Sequence, residues 1–65
     1  MTERDVRPNP AGGWDVRISG QRDLTSHHAT DVQARVWAKT VLRQRGGGVV
    51  KVYDRNGQLA HEDRV

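Results

Sequence analysis

The stretch from Thr30 to Gly46-Gly47-Gly48 limits most strongly what this chain can fold into. Three successive glycines are too costly in backbone entropy to continue a helix, and they supply the positive φ that closes one. At the other end, Thr30-Asp31-Val32-Gln33 fits a capping box, in which the Thr hydroxyl and the Gln side chain satisfy two orphan amides reciprocally. Asp31 in the first turn, with Arg43 and Arg45 in the last, suits the helix dipole. The pattern predicts one helix over residues 30–45. At about 100° per residue, Ala34, Trp37, Ala38, Val41 and Leu42 share one broad face, expected to pack on a sheet. Arg35, Lys39 and Arg43 are spaced i, i+4, i+8 and line the opposite side, with Val32 and Val36 beside them.

The flanks read as strands. Asp5-Val6-Arg7 is a short candidate stopped by Pro8 and Pro10, and Asn9 to Gly13 is turn-rich. Trp14-Asp15-Val16-Arg17-Ile18-Ser19 alternates strictly, with Trp14, Val16 and Ile18 on one face and Asp15, Arg17 and Ser19 on the other. Gly20-Gln21 predicts a reversal into a third strand within Arg22–Ala29, whose poor apolar content suits a sheet edge. After the helix, Val49 to Tyr53 is a β-branched strand. Asp54-Arg55-Asn56-Gly57 is a hairpin turn, and Gln58 to Glu62 return. The fold class expected is α+β: a small antiparallel sheet packed on one helix, in the order β-β-β-α-β-β, within a single domain over 1–65.

A chain of 65 residues buries only about 60% of the surface its unfolded form exposes. Apolar residues make up 34% of it, and cysteine is absent, which excludes disulfides and Cys-ligated metals as staples. A small core of this kind gains from shared surface, so self-association, most simply a homodimer, is expected. No apolar run approaches the roughly 20 residues of a membrane span, and the charged start Met1-Thr2-Glu3-Arg4-Asp5 does not resemble a signal peptide. Cytoplasmic residence and no membrane partner are the corresponding expectations.

The net charge is +3. Residues 1–29 and 46–65 each balance to zero, so the whole excess falls in 30–45, where Arg35, Lys39, Arg43 and Arg45 face only Asp31. A basic row can lie along phosphates, or it can be a solvated helix face with an Asp31–Arg35 pair at i, i+4. Arg7, Arg17 and Arg22 offer a second route, projecting from a sheet face towards bases or phosphates, although Asp15 and Asp23 stand among them. The candidate nucleic-acid residues are therefore Arg17, Arg22, Arg35, Lys39 and Arg43. Val32 and Val36, an apolar pair one turn apart beside the basic row, mark a candidate protein interface unless the terminal hairpin or first strand covers them.

Chemistry finds little footing. His27 and His28 are adjacent on a strand and so point to opposite faces, which prevents them from converging on a metal; with His61 they read as surface histidines. Ser19 and Ser26 have no nucleophile-elbow context. The glycine run follows a helix instead of preceding one, so it is a terminator and not a phosphate cradle. No enzyme, cofactor, metal or small-molecule substrate is expected, since a chain this short has little depth for a pocket.

Two resemblances follow. Val6-Arg7-Pro8, Gly12-Gly13-Trp14-Asp15-Val16, the Thr-capped helix with Ala34 and Ala38, and Val50–Tyr53 before Asp54-Arg55-Asn56-Gly57 resemble short bacterial and phage proteins of a conserved domain of unknown function. That implies a compact α+β fold and no particular activity. Locally, Gly13-Trp14 with its alternating strand, the turn at Gly20–Arg22 and the Thr-capped helix are similar to the arm-type DNA-binding domain of phage integrases. That family's three-stranded sheet enters a DNA groove. Here His27-His28-Ala29 replace its large aromatic before the helix, and a terminal hairpin is added. The function expected is a non-enzymatic binding or regulatory module acting through protein–protein contacts, with a sequence-tolerant DNA-binding domain as the alternative.

Overall fold

The computed structural model describes residues 3–20 and 24–65. Its elements are β1 (Glu3–Pro8), β2 (Trp14–Ile18), β3 (Leu24–His28), α1 (Asp31–Gln44), β4 (Val49–Tyr53) and β5 (Leu59–Arg64). They form one five-stranded sheet in the order β3-β2-β1-β4-β5, with α1 against one face.

The element order and class are those expected, but the sheet is mixed instead of antiparallel. β1–β2, β2–β3 and β4–β5 are antiparallel, whereas β1 and β4 run parallel, with Glu3 opposite Val49 and Val6 opposite Val52. The cause is topological. The meander reverses twice, so β3 runs in the direction of β1, and α1 carries the chain back before β4 starts. β4 therefore sets off parallel to β1 and pairs with its open edge. The short first strand thus becomes the centre of the sheet and extends back to Glu3. Its extent was hidden because Arg4, Val6 and Pro8 occupy the helix-facing side, and only Val6 reads as core.

The core is small: Val6, Val16, Val50 and Val52 from the sheet meet Ala34, Ala38 and Leu42 from α1, with Trp14 and Val65 packed at its margin. Fully burying a side chain such as Leu42 contributes about 2 kcal/mol. The two alanines let the helix approach the sheet closely. Trp37, expected in this face, is 46% exposed. It lies about 100° from Ala38 around the helix, beyond the stripe that a flat sheet can cover.

Both helix ends follow their sequence signals, with one difference. The Thr30 hydroxyl accepts from the Gln33 amide at 3.2 Å, but the reciprocal bond from the Gln33 side chain is not made among the described residues. At the far end Gly46 takes φ +94°, its N–H donates to Arg43 O, and the Gly47 N–H donates to Leu42 O at 2.7 Å. This is the Schellman closure that the glycines foreshadow. In the last hairpin Asp54 Oδ1 accepts from the Asn56 and Gln58 amides, and Gly57 alone takes a positive φ.

Candidate functional site

Three surfaces carry the side chains with chemistry. The first is the sheet face turned away from α1. Asp15, on β2, is the hub of this face and is only 4% exposed. His27 Nδ1 on β3 lies 2.7 Å from Asp15 Oδ1, Asn9 Nδ2 donates at 3.1 and 3.3 Å, and Arg17 approaches at 3.4 Å. Burial pushes the Asp15 carboxyl up. The hydrogen bonds from His27 and Asn9, with the charges of His27 and Arg17, outweigh it and hold the pKa below its ordinary 3.8. The tie depends on Gly13: at φ +77°, a Cβ there would stand 2.6 Å from His27 Nε2 and 2.7 Å from His28 O. Further along, Ser19 donates to Asp5 at 2.7 Å, Arg7 pairs with Asp5 and lies 3.9 Å over the Tyr53 ring, and Lys51 meets Glu3 at 3.6 Å. Arg7, Arg17 and Lys51 thus each face a carboxylate on this sheet.

The second surface is the flank between α1 and β5. Asp63 Oδ2 lies 3.0 Å from Lys39 Nζ and 3.5 Å from an Arg35 nitrogen, while His61 Nε2 reaches Asp63 Oδ1 at 2.8 Å. The hydrogen bond from Lys39, with that from His61, lowers the Asp63 pKa against the effect of burial. Arg35 and Lys39 therefore do not lie opposite the core, as their spacing suggested. They bend to the sheet edge, and Arg35 pairs with Asp63 instead of Asp31. Arg35 sits only about 60° from the middle of the buried stripe, within reach of β5. Arg43, about 140° from the middle of the buried stripe, is exposed.

The third surface is the outward face of α1. Val32 and Val36 are 60% and 59% exposed, so neither hairpin nor first strand covers them. With Trp37 they line a groove of about 380 Å³, closed by His28, Gln33 and Thr40. The Thr40 hydroxyl donates back to Val36 O at 2.9 Å, which satisfies it within the helix. The His28 ring lies 6.2 Å from that of Trp37 and shares a hydrogen bond with Ser26. His27 and His28 do face opposite sides of the sheet, as strand alternation requires.

The structure thus divides the residues singled out in the sequence. Val32 and Val36 come together, and Trp37 joins them. Arg35 and Lys39 come together through Asp63, while Arg17 lies on the far face of the sheet with Asp15. Arg22 falls outside the described residues. Asp15 and Asp63 were missed as hubs because, beside a neighbour two residues away, each gathers a partner distant in sequence, His27 for Asp15 and Arg35 with Lys39 for Asp63; Asp15 carried a hint in the turn residues of Asn9 to Gly13.

No helix among the described residues is long and apolar enough to cross a membrane. Comparison with known proteins gives no significant match among curated proteins or solved structures, so the integrase resemblance gains no support. One family model does match, over residues 4–65, and by it the chain belongs to the family described as an uncharacterized protein conserved in bacteria (DUF2188).

Proposed function

We propose that the protein is a non-enzymatic binding module that works through protein–protein contacts made by the outward face of α1, with a second copy of itself as the partner. The observation that carries this reading is the distribution of apolar side chains on one helix. α1 places Ala34, Ala38 and Leu42 in the core and leaves Val32, Val36 and Trp37 at the surface. A domain whose core is mostly Val and Ala has much to gain from covering such a patch. The identity of the partner as a second copy rests on the same economy: a two-fold pairing of α1 with α1 buries Val32 and Val36 against their own counterparts and extends each thin core.

Phosphate binding draws on uncompensated cations. Both rows singled out for it are partly neutralised, since Arg35, Lys39, Arg7, Arg17 and Lys51 each face a carboxylate; Arg43, Arg45, Arg55 and Arg64 make no ion pair among the described residues, so nucleic acid is the alternative partner. An interface formed by one helix face is smaller than the roughly 1,200–2,000 Å² of stable complexes, so dissociation in the micromolar range is expected. Sedimentation velocity across a concentration series tests this. The wild-type chain should pass from monomer to dimer, and Val36→Asp should stay monomeric while its circular dichroism is unchanged. A wild-type chain that remains monomeric at millimolar concentration, or a Val36→Asp variant that dimerises normally, overturns the self-association reading. Salt-sensitive binding of random-sequence duplex DNA by the wild-type chain would replace it with the nucleic-acid reading.

A further inference from the structure

Arg4 is placed where a guanidinium is hard to accommodate. It lies on the helix-facing side of β1, in register with Ile18 and Val50, and is 4% exposed. Its one hydrogen bond among the described residues goes from Nη1 to the adjacent Glu3 O at 3.2 Å, and no carboxylate of those residues pairs with it. The neighbouring acids Glu3 and Asp5 project from the other side of the strand, where Lys51 and Arg7 hold them. Burial, and then the charge of Arg45, push the Arg4 pKa down, yet a guanidinium stays charged inside proteins. The nearby C-terminal end of α1 supplies about half a negative charge, which Arg45 on the same end more than cancels.

Arg4 and Arg45 open into a cleft of about 170 Å³ between α1 and the sheet, walled by Val16, Ile18, Trp37 and Val41. An apolar cavity of about 150 Å³ is large enough for benzene. Arg4, Arg45 and Thr25 supply the polar part of the lining, and Val16, Ile18, Trp37, Ala38 and Val41 supply the hydrocarbon, which makes a polarised container. A phosphate, hydrated all round, matches such a container poorly. A carboxylate on a compact apolar body matches it well, because its two oxygens take a guanidinium fork in the plane.

We propose that this cleft binds a small organic monocarboxylate, with the carboxylate on Arg4 and Arg45 and the apolar body against Val16, Ile18, Val41 and Trp37. This site is separate from the apolar groove on the outward face of α1, although Trp37 forms a wall of both.

The test is a titration of the ¹⁵N-labelled full chain with sodium benzoate, neutral benzamide and inorganic phosphate at constant ionic strength. The Arg4 Nε–H, the Trp37 indole N–H and the Ile18 and Val41 amides are followed. Benzoate should shift these signals saturably, and benzamide should bind at least about tenfold more weakly, the factor expected from charged hydrogen bonds. Arg4→Met should lose benzoate binding by at least about tenfold. Arg45→Gln, at the exposed rim, should weaken it without affecting the fold, and it decides the matter if Arg4→Met does not fold. Equal responses to benzoate and benzamide, tighter binding of phosphate, saturation seen only at other residues, or no saturation at all would each overturn the proposal.

Discussion

Replacing Gly13 with alanine should destabilise the fold far more than its place in a turn suggests. Two costs add. An L-residue at φ +77° is strained by about 1–2 kcal/mol. The new methyl would also stand 2.6 Å from His27 Nε2, 2.7 Å from His27 Cε1 and 2.7 Å from His28 O. Relieving that contact means shifting β3 backbone and turning His27 away from Asp15, an overpacking cost of about 1–3 kcal/mol. The sum is about 2–5 kcal/mol, a large part of the 5–15 kcal/mol that holds a typical domain together. Gly12 is the internal control. It has φ +113° with nothing within 4 Å of an added Cβ, so Gly12→Ala should show a backbone cost alone, about 1–3 kcal/mol. Urea denaturation followed by tryptophan fluorescence measures both. Adding His27→Ala to Gly13→Ala removes two of the three close atoms and should recover about 1 kcal/mol as a coupling between neighbours. If Gly13→Ala is no more destabilising than Gly12→Ala, the packing of His27 over the turn is wrong.

Other outcomes follow from the same contacts. The folded pKa of Asp15 is depressed, so its stabilisation is present above the unfolded value near 4 and is lost as pH falls through the lower folded value. Asp15→Asn should therefore flatten the acid limb of the stability–pH curve and cost about 1–3 kcal/mol at neutral pH, read by urea denaturation across pH. Asp63→Asn should cost at most about 1 kcal/mol, because its ion pairs are partly exposed. It also releases Arg35 and Lys39, so fluorescence anisotropy with a labelled DNA duplex at low salt should show weak, salt-sensitive binding by the variant under conditions where the wild-type chain shows none. An unchanged response would mean that Asp63 does not mask those cations.

How legible the sequence was depended on the range of the interactions involved. The helix was readable because its signals are local: Thr30 at one end, Gly46-Gly47-Gly48 at the other, and alanines at helical spacing between them. The alternating Trp14–Ile18 strand and the Asp54–Gly57 turn were readable for the same reason. The central position of β1 and its parallel partnership with β4 were not, since they follow from how the whole chain closes and not from anything in Glu3–Pro8. Charge was the least legible property. Counting along the chain isolates a basic segment at 30–45, but Asp63 lies far beyond it in sequence and meets Arg35 and Lys39 across the fold. Val32 and Val36 stood out as misplaced for a helix packed on one side, and both are exposed. The solvent exposure of Trp37 depended on how far the sheet extends beneath α1, which periodicity does not specify.

The most direct test of a self-associating α1 face is an isotope-filtered NOE experiment on an equimolar mixture of ¹³C-labelled and unlabelled chains at high concentration. Cross-peaks between chains are expected from the Val32 and Val36 methyls to those of the opposite copy and to the Trp37 indole. Inter-chain cross-peaks confined to the β3 or β5 edges, or none at a concentration where sedimentation shows a dimer, would contradict it.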